Sequence, residues 1–202
     1  MAESGRVGRG SAELARLFVA IGLNDATRKR LAEEQSSLAR VSGGVKWVSP
    51  EMMHLTLVFL GDVFVERIAG VADVLDDEAR ATPVFAVEVA GLGTFGPRHH
   101  PRVIWAGIRK GAEAVCEFQG RIDHRLRALD LTPESRPFHP HFTLGRVKSP
   151  CEARAVEALP GLSDARTYGV VEVDRVLLMR SELHSRGPVH AVVHASLLKP
   201  DC

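Results

Sequence analysis

Two short segments of the chain resemble each other: His54-Leu-Thr56-Leu57 and His141-Phe-Thr143-Leu144, 87 positions apart. Side chains alternate faces along a strand. If each segment is extended, His54 and Thr56 share one face while Leu55 and Leu57 enter a core. The same holds for His141 and Thr143 against Phe142 and Leu144. Each half of the chain then presents an imidazole beside a hydroxyl, and two such pairs facing each other make a symmetric phosphate site. In-line displacement at phosphorus needs a base on the water side and an acid on the leaving-group side. Histidine can serve as either near neutral pH. Threonine hydroxyls can donate to the non-bridging oxygens, and a guanidinium matches their paired acceptors. Arg146, five residues after His141, is the local candidate for that contact.

One H-x-T alone is a weak signal; two in matched apolar contexts weigh much more. His99, His100, His124, His139, His184, His190 and His194 read individually as surface or packing residues. The sequence shows no H-E-x-x-H, no close Cys/His cluster and no Asp-rich pair, so it signals no metal site. Gly91-Leu-Gly-Thr-Phe-Gly96 lacks dinucleotide-loop spacing and reads as a flexible turn beside the cleft. There is no G-K-[ST] and no G-x-S-x-G, which leaves P-loop and serine-hydrolase chemistry without a foothold. Trp47, Phe95, Trp105 and Phe138 are candidates to stack on a base, with core packing the default for Trp105.

These residues need a scaffold. Residues 16–21 read as a strand, and Asn24 can cap a following helix that carries Leu31, Leu38 and Val41. Residues 45–48 form a short extended piece, and 54–60 a strong strand closed by Gly61-Asp62. Val65, Ile68, Ala72 and Leu75 recur at helical spacing. Strands are expected over 83–89 and 102–107, then a helix over 113–129 with Cys116 buried in it. A Pro-rich loop over 132–140 leads into a strand over 141–146. A short helix over 153–159 and strands over 168–179 and 189–198, joined by a turn at 185–188, complete the chain. Short paired strands with few long apolar runs favour antiparallel sheets covered by helices on one face. The expected class is α+β in two similar halves.

Bulk properties agree with a folded domain: 202 residues, 45% hydrophobic and 25% charged. Lys and Arg number 26 against 25 Asp and Glu, for a formal charge of +1. That excludes a broadly basic nucleic-acid coat and favours a partner held through one phosphate. Three separated cysteines (Cys116, Cys151 and Cys202) give no disulfide framework. Residues 1–13 lack the apolar core of a secretory signal and read as a disordered tail, and no apolar run is long enough to span a membrane. A cytoplasmic monomer is the expectation.

The ordered set of segments resembles the two-histidine (2H) phosphoesterases, and among them the RNA 2',3'-cyclic phosphodiesterases, also called 2'-5' RNA ligases. Residues 16–21 look like the opening strand of that family. Trp47-Val48 followed by His54-Leu-Thr-Leu-Val-Phe-Leu-Gly61 is similar to its first signature, residues 101–107 to its central strand, and Pro140-His-Phe-Thr-Leu-Gly-Arg146 to its second. Residues 176–181 with Leu183 resemble its late strand and turn. The resemblance spans residues 15–198. It implies a single bilobal domain over 14–200: two pseudo-symmetric lobes, each an antiparallel sheet with helices on its outer face, around a central cleft. It also implies that His54, Thr56, His141 and Thr143 are catalytic and that Arg146 contacts phosphate. One departure is His190, where similar members often carry Tyr.

The implied reaction is hydrolysis of a terminal 2',3'-cyclic phosphate to a 2'-phosphomonoester, with His54 assigned as proton donor to O3' and His141 as proton acceptor from water, an order that pseudo-symmetry allows to be reversed. The same kind of transition state, with a hydroxyl of a second RNA strand in place of water, gives reversible 2'-5' ligation as a secondary activity. Neither cofactor nor metal is called for, and the implied partners are RNA ends or small cyclic nucleotides. Competing readings are a phosphodiesterase for another small cyclic phosphate, such as ADP-ribose cyclic phosphate, and a non-catalytic RNA-end binding module.

Overall fold

In the computed structural model, described over residues 13–97, 100–131, 137–148, 166–184 and 187–200, the described residues form nine strands and three α-helices. They are β1 (Leu14–Ile21), α1 (Asp25–Val41), β2 (Val45–Trp47), β3 (Leu55–Phe64), α2 (Ile68–Ala81), β4 (Phe85–Phe95), β5 (Val103–Lys110), α3 (Ala112–Arg127), β6 (His141–Val147), β7 (Thr167–Val173), β8 (Arg175–His184) and β9 (Gly187–Leu197). Residues 1–12 of the tail expected over 1–13, the helix expected over 153–159, and Cys151, Cys202 and His99 lie outside the described residues.

All nine strands belong to one antiparallel sheet, in the order β7-β4-β5-β6-β3-β1-β8-β9, with β2 also paired to β6. The order divides into two lobes. The first holds β3, β1, β8 and β9; the second holds β7, β4, β5 and β6, with β2. The lobes join through one register pair, Leu55 opposite Phe142. Beyond it β3 and β6 part, and β2 takes over the freed edge of β6 from Gly145 to Val147. A cleft opens where the two strands diverge.

The lobes also meet at their far corners. A break at Asp174 splits the single strand expected over 168–179 into β7 and β8, which lie in different lobes. The Asp174 carbonyl accepts the Leu198 N–H at 2.8 Å, and Lys199 bonds the end of α2. The sheet therefore curls strongly without closing into a barrel, and a single hydrophobic core runs through both lobes.

Helix placement reinforces the join. Asn24 caps α1, its side-chain oxygen accepting the Thr27 N–H at 2.9 Å, while its amide donates to Val170 O of β7 at 2.8 Å. Helix α1 thus follows a strand of the first lobe but covers the outer strand of the second. Helices α2 and α3 lie side by side, tied by buried Glu78, which accepts from Arg121 at 3.1 Å. Asp76 on α2 accepts from Ser196 of β9 at 2.6 Å.

Two local expectations change. Cys116 is exposed, because the core face of α3 is Val115, Phe118, Ile122 and Leu126, and Cys116 is turned about 100° away from Val115. The glycine segment at 91–96 is not a turn beside the cleft; Gly91 and Gly93 lie within β4. Gly91, at φ 72°, is the extra residue of a bulge against β5. At Gly93 a Cβ would come within 2.2 Å of the Trp105 ring, so only glycine lets the indole lie flat on the strand. Gly93→Ala should therefore lower Tm by several degrees, about 1–3 kcal/mol of overpacking, and alter Trp105 fluorescence. An unchanged Tm and spectrum would show that the indole does not depend on this contact.

Candidate active site

Leu55 and Phe142 are fully buried partners on the core face. The residues flanking them point the other way, so His54, Thr56, His141 and Thr143 all lie on the cleft face. One residue out from the bridge in either direction, the antiparallel register sets His54 across from Thr143 and Thr56 across from His141. The four residues singled out by the repeat therefore converge. Neither threonine hydroxyl is committed to another group among the described residues.

Both histidines are set by the same local device. The ring Nδ1 of His54 lies 2.8 Å from the carbonyl of Met52, and that of His141 lies 2.7 Å from the carbonyl of His139, in each case two residues back. A carbonyl only accepts, so Nδ1 must carry the hydrogen and Nε2 is the working nitrogen. Neutral, it is a base; protonated, it is an acid. Pseudo-symmetry has produced two interchangeable tools.

A bulge follows each pair. On β3, Ala20 is registered with Thr56 and Val19 with Val58, leaving Leu57 extra; on β6, Trp105 is registered with Thr143 and Ile104 with Gly145, leaving Leu144 extra. Strict alternation from His141 would put Arg146 on the core face, five residues being an odd step. The bulge shifts the phase, so Leu144 and Gly145 both face inward and Arg146 is exposed on the cleft face. Its charge is felt at both histidine rings. No carboxylate among the described residues pairs with it. The bulge carbonyl, Leu144 O, accepts from the Val48 N–H at 2.9 Å and from the buried Gln35 side chain at 2.9 Å. Gln35, which also donates to Val48 O at 2.6 Å, fixes the turn of strand that aims Arg146.

Aromatic neighbours line both sides. Phe18 of β1 stacks on His54 at 4.8 Å between ring centroids, and His190 of β9 meets both His54 (5.2 Å) and Phe18 (4.8 Å) edge-on. On the other side Phe95, Trp105 and His139 surround His141 at 4.8, 6.3 and 6.5 Å. Of the four base-stacking candidates, Phe95 and Trp105 are here, whereas Trp47 and Phe138 pack on the core. Trp47 lies against Gly145, where a Cβ would meet its ring at 2.9 Å. His190 and His139 are not mere surface residues. No motif marks His190, whose proximity depends on the coiling of the β8–β9 hairpin; His139 was discoverable, standing two residues before His141 in extended chain.

Burial lowers the pKa of His54 from 6.5 to about 4, opposed by the Met52 hydrogen bond and helped by the charges of His190, His141 and Arg146. Burial likewise lowers His141, against its hydrogen bond to the His139 carbonyl and with the charges of His139 and Arg146. His190 is lowered by burial alone, and its Nδ1 is buried without a partner. The three imidazoles are thus biased towards their neutral form beside the Arg146 cation, an arrangement that suits an anion. Among the described residues, no three His, Cys, Asp or Glu side chains gather as a metal cage would require.

A sequence model of the family described as LigT-like phosphoesterase matches residues 21–105 and again residues 108–190, once for each H-x-T segment. The chain belongs to this family. It is 32% identical over 175 residues to the RNA 2',3'-cyclic phosphodiesterase of Methanothermobacter thermautotrophicus, covering 87% of this chain and 94% of that one. It is also 32% identical over 181 residues to the RNA 2',3'-cyclic phosphodiesterase of Thermotoga maritima, covering 89% and 93%. A crystal structure of a Thermus thermophilus protein superposes with a TM-score of 0.74 at 30% identity, over 93% of this chain and all of that one. Escherichia coli LigT complexed with 3'-AMP superposes at 0.76 with 24% identity, over 92% and 99%, which shows a shared fold.

Two outcomes follow from this geometry. In the unfolded chain His54 takes up its proton near pH 6.5, whereas in the fold it does so only near 4. Its contribution to stability is complete above 6.5 and is lost as pH falls towards 4, by up to about 3 kcal/mol. His54→Gln should flatten the acid limb of a Tm-against-pH curve between 7.5 and 4.5; parallel curves would mean that the ring titrates normally. Gln35→Met should leave a folded protein about 1–3 kcal/mol less stable with kcat/KM down about tenfold, through misaimed Arg146.

Proposed function

We propose that the protein hydrolyses the 2',3'-cyclic phosphate end of RNA to a 2'-phosphomonoester, using its own side chains for acid, base and charge. The observation that carries this reading is the convergence of two His–Thr pairs on one cleft face, each with Nε2 unbonded among the described residues, within reach of the Arg146 charge. The RNA 2',3'-cyclic phosphodiesterases to which the chain is similar support the substrate class.

Water attacks phosphorus in line with the P–O3' bond. Its proton passes to Nε2 of His141 as the P–O3' bond breaks, and His54 delivers its Nε2 proton to O3', leaving the phosphate on O2'. Thr56, Thr143 and Arg146 hold the non-bridging oxygens as charge builds there. The roles suit the two environments. His54 is lowered to about 4, which makes its protonated form the stronger acid for an alkoxide leaving group. His141 is the more open ring, able to reach water. The reactive form needs His54 charged and His141 neutral; the bound phosphate supplies the negative charge that stabilises His54 in its protonated state. With the 5'-hydroxyl of a second strand in place of water, the same steps leave a 2'-5' linkage, and their reversal cleaves it.

The test is an RNA oligonucleotide ending in 2',3'-cyclic phosphate, incubated in EDTA with wild-type protein and with folded His54→Ala and His141→Ala variants. Conversion to the 2'-phosphate by wild type, reduced by about 10²–10⁴ in each variant, is the expected result. Arg146→Ala should cost on the order of 10² in kcat/KM. The pH profile of kcat/KM should be bell-shaped with its maximum below pH 6.5, because both free-enzyme histidines are lowered. The profile of kcat should move to higher pH, because bound phosphate favours the charged rings. A folded wild type without turnover, or a flat profile, refutes the assignment.

A further inference from the structure

The two halves match residue for residue through H-x-T-L and then part company. The position that holds Arg146 after the second bulge holds Phe59 after the first, both five residues beyond their histidine. Phe59 is registered with Phe18, so it continues the aromatic surface that starts against His54. Two residues back along β1 from Phe18, on the same cleft face, Arg16 lays its guanidinium over the Phe59 ring at 5.0 Å. The first lobe therefore replaces the phosphate-gripping arginine with an aromatic platform and places a cation one step farther out.

That cation is incompletely paired. Its nearest carboxylate, Asp62, lies at 4.0 Å and is exposed, leaving most of the guanidinium donors unused. Arg180 beside it is shared between Glu13 at 3.5 Å and Glu182 at 3.4 Å. Arg16, Asp62, Arg180 and Ser181 line a groove of about 300 Å³ that runs outward along β1.

The direction in which an RNA strand leaves the site follows from the chemistry. Breaking the P–O3' bond towards His54 puts the ribose on the His54 side, against Phe18 and His190, and water on the His141 side. The strand upstream of that ribose must then run over the first lobe. Arg16 stands two strand residues, about 6.7 Å, beyond Phe18, so its side chain lies past the ribose on the path the upstream strand must take. We propose that Arg16, braced on Phe59, binds the phosphodiester immediately upstream of the cyclic-phosphate nucleotide, with the penultimate base over the Phe59 platform. The ligand is single-stranded RNA of at least two nucleotides. The inference rests on the reading of His54 as the acid and of the reaction as cyclic-phosphate hydrolysis.

The experiment compares kcat/KM for a nucleoside 2',3'-cyclic phosphate, for the dinucleotide bearing the same cyclic end, and for that dinucleotide with a neutral methylphosphonate linkage. One charge-assisted contact gives the normal dinucleotide an advantage of about tenfold over the mononucleotide in wild type. Neutralising the linkage, or Arg16→Gln, should each remove that advantage, and the two together should remove no more than either alone. The mononucleotide, which does not reach Arg16, is the internal reference. Equal turnover of all three substrates by wild type, or an Arg16→Gln effect that persists on the methylphosphonate, overturns the subsite while leaving the phosphodiesterase reading intact. No turnover of any substrate overturns both.

Discussion

Everything at the site hangs on one pair of backbone neighbours, Leu55 and Phe142. Among the described residues they are the only register pair between β3 and β6, and they are apolar and buried. An antiparallel pair buried on one face forces its flanking residues to the other. That single constraint turns two separate H-x-T segments into one four-residue constellation. A slip of one residue in either strand would bury the histidines and expose the leucines, so the hydrophobic core enforces the register on which the chemistry depends. The crossing of α1 onto the second lobe, the Asp174–Leu198 bond at the far corner and the shared core keep the bridge from carrying the load alone.

The electrostatics follow from the same packing. Strands that bring two imidazoles together beneath aromatic rings also strip them of water, and lost hydration disfavours the charged form. The carbonyls of Met52 and His139 work the other way, and burial still prevails at both rings. A site built to hold charge would have carboxylates beside these rings; this one has Arg146 and two further histidines. The arrangement favours neutral imidazole beside a guanidinium, and an anion placed there would raise both pKa values. Under the proposed mechanism binding and activation are one event: the anion to be cleaved favours uptake of a solvent proton by the imidazole that acts as acid.

Much of this was legible in the sequence because it depends on short-range periodicity. The H-x-T repeats, the alternation that separates His54 and Thr56 from Leu55, and the cap at Asn24 need only neighbours along the chain. What depended on non-local pairing was hidden. Arg146 was found by proximity, but alternation alone would have turned it into the core; only the extra residue at Leu144 brings it round, and no residue type announces that bulge. The Gly91–Gly96 run looked like a turn because glycine serves turns, bulges and close packing alike, and Trp105 decides among them. His190 is registered with Ser181, far along the hairpin from His54, and reaches the site through the curl of the sheet. Trp47 and Phe138 show the converse: an aromatic side chain near a motif in sequence is as readily spent on the core.

Pseudo-symmetry by itself would give an enzyme with no preferred direction, since either histidine could be acid or base. The departures from symmetry supply one. Arg146 puts a charge just beyond the second H-x-T segment, while Phe59 puts an aromatic ring in the equivalent place of the first. His54 is the more buried ring and is flanked by Phe18 and His190; His141 is more open. An apolar, stacked environment suits a nucleoside, and an open one suits water. On the proposed assignment the lobe that carries Phe59 in place of an arginine holds the organic part of the substrate, and the bond that breaks is the one pointing into it.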